Sequence, residues 1–90
     1  KIMAYDKDLM LTTVVFKKGA IGYLHKHPHK QVSYIVNGSF EVTLGSEKKI
    51  QKAGDVYFVP PNVEHGVLAL EEDSLLIDIF HPYREDFIKK

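Results

Sequence analysis

An antiparallel all-β sandwich or barrel is the expected fold of this chain. Three features lead there: about seven short runs rich in β-branched and aromatic residues, roughly ten-residue spacing between them, and turn residues in most gaps. Leu11 to Phe16 (LTTVVF) is the first run, ended by Lys18-Gly19. Gln31 to Val36 (QVSYIV) and Phe40 to Leu44 (FEVTL) flank Asn37-Gly38, which predicts a tight hairpin because a type I′ turn needs positive φ at both central positions. Gly45-Ser46 turns the chain into Lys49 to Lys52. Ala53-Gly54-Asp55 then leads into Val56 to Val59 (VYFV), which Pro60-Pro61 stops by removing two ladder donors. Glu64 to Leu70 and Ser74 to Phe80 (SLLIDIF) complete the set, joined by the acidic turn Glu71-Glu72-Asp73. Only Tyr83 to Lys90 is expected to form a helical turn or two.

Ninety residues suit one domain over 1–90, since two cores would each be too small to offset chain entropy. Twelve Lys plus Arg balance twelve Asp plus Glu. Neither nucleic acid nor an anionic membrane is an expected partner, because both need clustered positive charge. No apolar run approaches the roughly 20 residues that span a bilayer. The absence of cysteine excludes disulfides, thiolate catalysis and thiolate metal sites, so a bound metal must use His, carboxylate or amide ligands. The chain opens on Lys1 without a Met, which is compatible with trimming from a longer one. No signal peptide is visible, and a cytoplasmic location is the default expectation. VYFV and QVSYIV are apolar on both faces; one face fills a barrel and the other needs a second sheet or subunit, so a homodimer is expected.

Chemistry concentrates in two places. His25, His27 and His29 share one loop and His65 lies far downstream. Residues two apart in extended chain point the same way, so His25 and His27 can aim at one point, and Gln31 has the same parity. Three imidazoles and an amide oxygen suit one divalent transition metal with positions left open, whether Zn, Ni, Mn or Fe. A solvated His-rich surface loop is the plain alternative. His29 and His81 are not expected to be ligands. Asp78 and Phe80 share a strand face with Leu76 and Ser74, which puts the Asp78 carboxylate inside the barrel near its mouth. An unpaired buried carboxylate is costly, so Asp78 needs a partner or a chemical task. Arg84 could be that partner, in an ion pair that pins the tail over a core Phe80.

Gly19, His25, His27, Gln31 and Gly38 follow the spacing of the first cupin motif, G-x5-H-x-H-x3-4-E-x6-G, with Gln in place of Glu. Gly54, Pro60 and His65 resemble the second motif, G-x5-P-x-G-x2-H-x3-N, with Asn62 and Ala69 in place of its second Gly and its Asn. Asn is the non-Gly residue that best tolerates positive φ, so the Asn62 change is mild. The chain therefore resembles a small single-domain cupin, a jelly-roll or double-stranded β-helix barrel. The resemblance implies a metal at His25, His27, Gln31 and His65. The tail D-x-F-x-P-x-R-E-D-F, carried by Asp78, Phe80, Pro82 and Arg84 to Phe87, is similar to that of the KdgF-type pectin-degradation proteins. The interval between His27 and Gln31 is one residue shorter than is usual there.

That second resemblance implies an enzyme that opens the ring of 4,5-unsaturated uronate monosaccharides from pectin and alginate. On this reading the partner is a small anionic sugar, Asp78 carries a proton, Arg84 pairs with the sugar carboxylate and Phe80 packs against the sugar face. A neutral Gln31 leaves the ion its full charge, which favours Lewis-acid over oxygen chemistry. The alternatives are a non-catalytic metal- or sugar-binding cupin module, and a cupin isomerase or oxygenase acting on another small molecule.

Overall fold

The computed structural model describes residues 1–88. Its elements in chain order are β1 (Ile2–Tyr5), β2 (Met10–Phe16), β3 (Ile21–His25), β4 (Lys30–Asn37), β5 (Ser39–Leu44), β6 (Glu47–Lys52), β7 (Val56–Val59), β8 (His65–Ala69), β9 (Ser74–His81) and the short helix α1 (Glu85–Ile88). They form two antiparallel sheets, one ordered β1-β2-β9-β4-β7 and the other β3-β8-β5-β6. The all-β expectation holds. The expected helical tail ran to Lys90; its described part is α1, and residues 89 and 90 lie outside the described residues.

Two strands escaped the sequence reading. β1 is an exposed edge strand with an irregular register against β2. β3 carries Gly22 in its interior, which reads as a breaker. β3 and β8 approach closely there: a Cβ on Gly22 would lie 3.0 Å from Val67 Cγ2, and one on Gly66 would lie 2.7 Å from the Gly22 carbonyl oxygen.

The Asn37-Gly38 hairpin is a correction. β4 and β5 belong to different sheets and do not pair, and of the two turn residues only Gly38 has positive φ, at 77°. Gly38 instead passes the chain from one sheet to the other. A Cβ there would run into the Ser74 side chain and lie 2.8 Å from the Ser74 Cα. Gly45, at φ 60°, instead turns a tight hairpin between β5 and β6.

Period-2 alternation sorts the strand residues into layers. Ile35, Phe40, Val42, Ala69 and Leu76 are buried together in an apolar floor, with the Phe16 and Phe40 rings edge to face at 5.3 Å. One step up the sheet, Thr12, Asp78, Ser33 and Tyr57 stand in register across β2, β9, β4 and β7. One step further, Gln31 sits opposite Phe80 on one side and Val59 on the other. The floor excludes water below a polar layer, and the site is built on that layer.

Candidate metal centre

The sheet holding β3 and β8 supplies two of the expected ligands directly, since His25 and His65 are register partners with ring centroids 4.4 Å apart. His27 comes from the loop that follows. Its backbone carbonyl accepts the amide N–H of Asn62 at 2.8 Å, and Asn62 has φ 61°. The left-handed residue of the second motif thus ties the two ligand loops together. One ring nitrogen from each of His25, His27 and His65 lies within 4.8 Å of the others.

Backbone carbonyls decide which nitrogens converge. The Nδ1 atoms of His25, His27 and His65 sit 2.8, 3.1 and 2.9 Å from the carbonyls of Tyr23, His29 and Val63. A carbonyl only accepts, so each Nδ1 carries the proton and each Nε2 presents a lone pair. His65 Nε2 is buried with no hydrogen-bond partner among the described residues. Burial also keeps the rings neutral. It lowers the pKa of His27, helped by the Arg84 charge, and brings His65 down to about 4, with the His25, His27 and Arg84 charges adding to the effect.

Gln31 joins the set through its amide oxygen. Ser33 Oγ–H donates to Asp78 Oδ1 at 2.6 Å, so towards Gln31 it accepts, and Gln31 Nε2 donates to it at 2.9 Å. Gln31 Nε2 also lies 3.4 Å from Asp78 Oδ1. The amide nitrogen therefore faces Ser33 and Asp78, and Oε1 faces His27 Nε2 at 3.0 Å. Two lone pairs meeting at that distance repel unless a cation lies between or beside them. The donor set thus fits a divalent metal: three neutral imidazoles and one amide oxygen, as the sequence motifs imply.

These groups open on a cavity of about 100 Å³ lined by His25, Gln31, His65, Tyr57 and Asp78. A groove of about 420 Å³ on the outer sheet is larger but mostly apolar, flanked by Ile21 and Tyr23, and brings together no such cluster. Burial raises the pKa of Asp78; the Ser33 hydrogen bond, the Arg84 charge and the Gln31 amide pull the other way. Tyr57 is pushed up to about 12, mainly by burial, with its contact to Ser33 opposing and the Asp78 charge reinforcing the rise. Ser33 and Tyr57 were absent from the sequence reading. A polar Ser at the inward position of QVSYIV, in step with Gln31, was the available signal for Ser33.

The tail departs from one expectation. Arg84 does not pair with Asp78. It donates through Nε and Nη2 to the two carboxylate oxygens of Asp86, at 3.0 and 2.8 Å. Asp78 instead turns to Ser33 and Gln31, because those donors lie across the same strands. Phe80 is 3% exposed, edge-on to His27 with centroids 5.7 Å apart, and under the Arg84 guanidinium at 5.1 Å. His29 contributes its carbonyl to His27 and stacks edge-on against that ring at 5.3 Å. His81 is exposed at the end of β9.

Residues 12–80 match the cupin domain family. The chain is 52% identical over 89 residues to the pectin degradation protein KdgF of Dickeya dadantii, covering 98% of this chain and 81% of that protein. The chain belongs to the cupin family, in its KdgF-type group. Among solved structures, the cupin matches KdgF from Halomonas sp. with a TM-score of 0.94 and 46% identity, over 97% of this chain and 80% of that one. An RmlC-like cupin from Shewanella frigidimarina matches with a TM-score of 0.92 and 45% identity, over 97% and 78%.

The neutral histidines set a pH dependence in the metal-free cupin. His65 titrates near 4 in the fold and near 6.5 in the unfolded chain, so between those values the unfolded chain binds more protons. Stability is then lost as pH falls from 6.5 towards 4, by up to roughly 3 kcal/mol, and His27 acts in the same sense. Asp78 opposes this: its raised pKa makes the native state bind the extra proton above pH 3.8, so its cost grows as pH rises there. Urea unfolding of the metal-stripped protein between pH 7 and 4.5 should show the net loss. Repeating it with Asp78→Asn removes the opposing contribution, and a flat profile there would mean His65 is not held neutral by burial.

Proposed function

We propose that the cupin, acting as one domain over residues 1–90, converts 4,5-unsaturated uronate monosaccharides to their open 5-keto form. The observation that carries this is the joint convergence of three Nε2 lone pairs and Gln31 Oε1, with the Asp78 carboxyl anchored to the same Gln31 and facing the same cavity. The likeness to the pectin degradation protein KdgF supports the substrate class.

The substrate is a cyclic enol ether with a hemiacetal hydroxyl and a carboxylate. Opening it is an isomerisation: the hemiacetal proton leaves, the ring C–O bond at C1 breaks to leave an aldehyde, and C4 gains a proton as C5 becomes a ketone. His25, His27, Gln31 and His65 would hold a divalent ion, which when bound supplies Lewis acidity to sugar oxygens. Asp78 is the proton carrier. Ser33 and Gln31 fix its Oδ1, leaving Oδ2 to exchange the proton. Its burial brings the protonated form closer to neutral pH, as donation to C4 requires. Arg84 supplies positive charge and a planar fork for the sugar carboxylate. Phe80 backs both His27 and Arg84, and its role is to set their placement beside the sugar.

Incubating metal-loaded protein with unsaturated galacturonate and following the ring-enol absorbance is the direct test. Loss of absorbance with formation of the keto acid is expected. Binding without turnover would instead make the protein a sugar-binding module. A cytoplasmic homodimer remains our reading of its setting. The exposed Ile21, Tyr23 and Leu24 on edge strand β3 support the dimer, and the lack of cysteine is consistent with the compartment.

A further inference from the structure

Asp86 takes no part in the reaction outlined above, yet among the described residues it accepts both hydrogen bonds of the Arg84 side chain. A guanidinium has five N–H donors in one plane. Asp86 occupies Nε–H and one Nη2–H, at 3.0 and 2.8 Å, which is one complete edge of the fork. The opposite edge, Nη1 with the second Nη2–H, keeps a parallel pair of donors of the same geometry.

Two aromatic rings also hold the guanidinium. Phe80 and Phe87 meet at 89° with centroids 5.7 Å apart, and the Arg84 Cζ lies 5.1 Å from one ring and 4.3 Å from the other. Arg84 is 9% exposed, whereas the Asp86 side chain is 59% exposed. An exposed carboxylate gains little from an ion pair on its own account. The effect of the pair therefore falls on the direction of the buried guanidinium, whose charge is felt by His27, His65 and Asp78.

We propose that Asp86 is a positioning residue: it holds one edge of Arg84 in the corner between Phe80 and Phe87 so that the other edge meets the carboxylate of an anionic sugar. This rests on the assignment of Arg84 to that carboxylate. A rival geometry has Asp86 standing in the place of the sugar carboxylate and competing with it. The two differ in sign. Loss of a positioning residue weakens binding, whereas loss of a competitor strengthens it.

The test compares Arg84→Ala, Asp86→Asn and Asp86→Glu in the full metal-loaded chain. KM and kcat are read with unsaturated galacturonate, and calorimetric affinity with galacturonate, which lacks the C4–C5 double bond and so cannot be converted to the 5-keto form. Arg84→Ala and Asp86→Asn should each raise KM and weaken galacturonate binding about tenfold, the scale of one charge-assisted contact, with kcat nearly unchanged. Asp86→Glu should recover most of the affinity. If Arg84→Ala leaves KM and affinity unchanged, the assignment of Arg84 itself falls. If Arg84→Ala weakens binding but Asp86→Asn does not, or strengthens it, the positioning role is overturned while Arg84 stands. A fall confined to kcat would also overturn it. Circular dichroism of each variant confirms that the fold is retained before the kinetics are read.

Discussion

Replacing His65 by Ala is expected to remove turnover. His65 opens β8 as the register partner of His25, its Nδ1 proton is committed to the Val63 carbonyl, and its buried Nε2 has no described partner. That nitrogen is one of the three imidazole nitrogens that could hold a cation. Without it the donor set drops to two imidazoles and an amide. Metal affinity should fall by one to two orders of magnitude or more, and the rate by roughly 10³-fold, since Lewis-acid stabilisation is worth several kcal/mol. Because the change also removes a buried ring, His25→Ala is the companion variant. His25 is exposed, so its loss costs little packing while deleting the same kind of ligand. Chelation of the unmodified protein should have the same effect and be reversed by adding a divalent metal back. Bound metal is read by elemental analysis and turnover by the absorbance assay. Full activity after chelation would end the Lewis-acid role.

Asp78→Asn should stop turnover without unfolding the protein. The amide oxygen of Asn can accept the Ser33 hydroxyl where Asp78 Oδ1 does now, so the polar layer across β9 and β4 survives. The substitution also removes a carboxyl that burial disfavours in its charged form, so the melting temperature should hold or rise slightly. What disappears is the proposed proton carrier, and a fall in kcat of ~10²–10⁴ is the expected range for general acid–base help. Metal content should be unchanged, because Gln31 Oε1 still faces His27. A lower melting point with normal turnover would make Asp78 structural.

How much of this was readable beforehand depended on whether a feature follows from local rules. Strand parity is local. It put Ser74, Leu76, Asp78 and Phe80 on one face of β9, where Ser74, Leu76 and Phe80 are buried and Asp78 is partly so. Motif spacing named three histidines and one Gln that the fold brings together. Asn37-Gly38 misled because it was read for its nearest neighbours, and β3, with Gly22 in its interior, was not read as a strand at all. Gly22 is there for a strand that approaches from sequence positions far away, and Gly38 for a change of sheet beside Ser74.

Composition alone settled that any metal here is held without thiolates, and the residue pattern that the chain alternates as strands do. Tertiary structure decided the rest: which carbonyl takes each Nδ1 proton, that Ser33 rather than Arg84 satisfies Asp78, and that Arg84 answers to Asp86. The reason is that side-chain direction is set every second residue by backbone geometry, whereas a hydrogen-bond partner is chosen by which distant strand arrives in register.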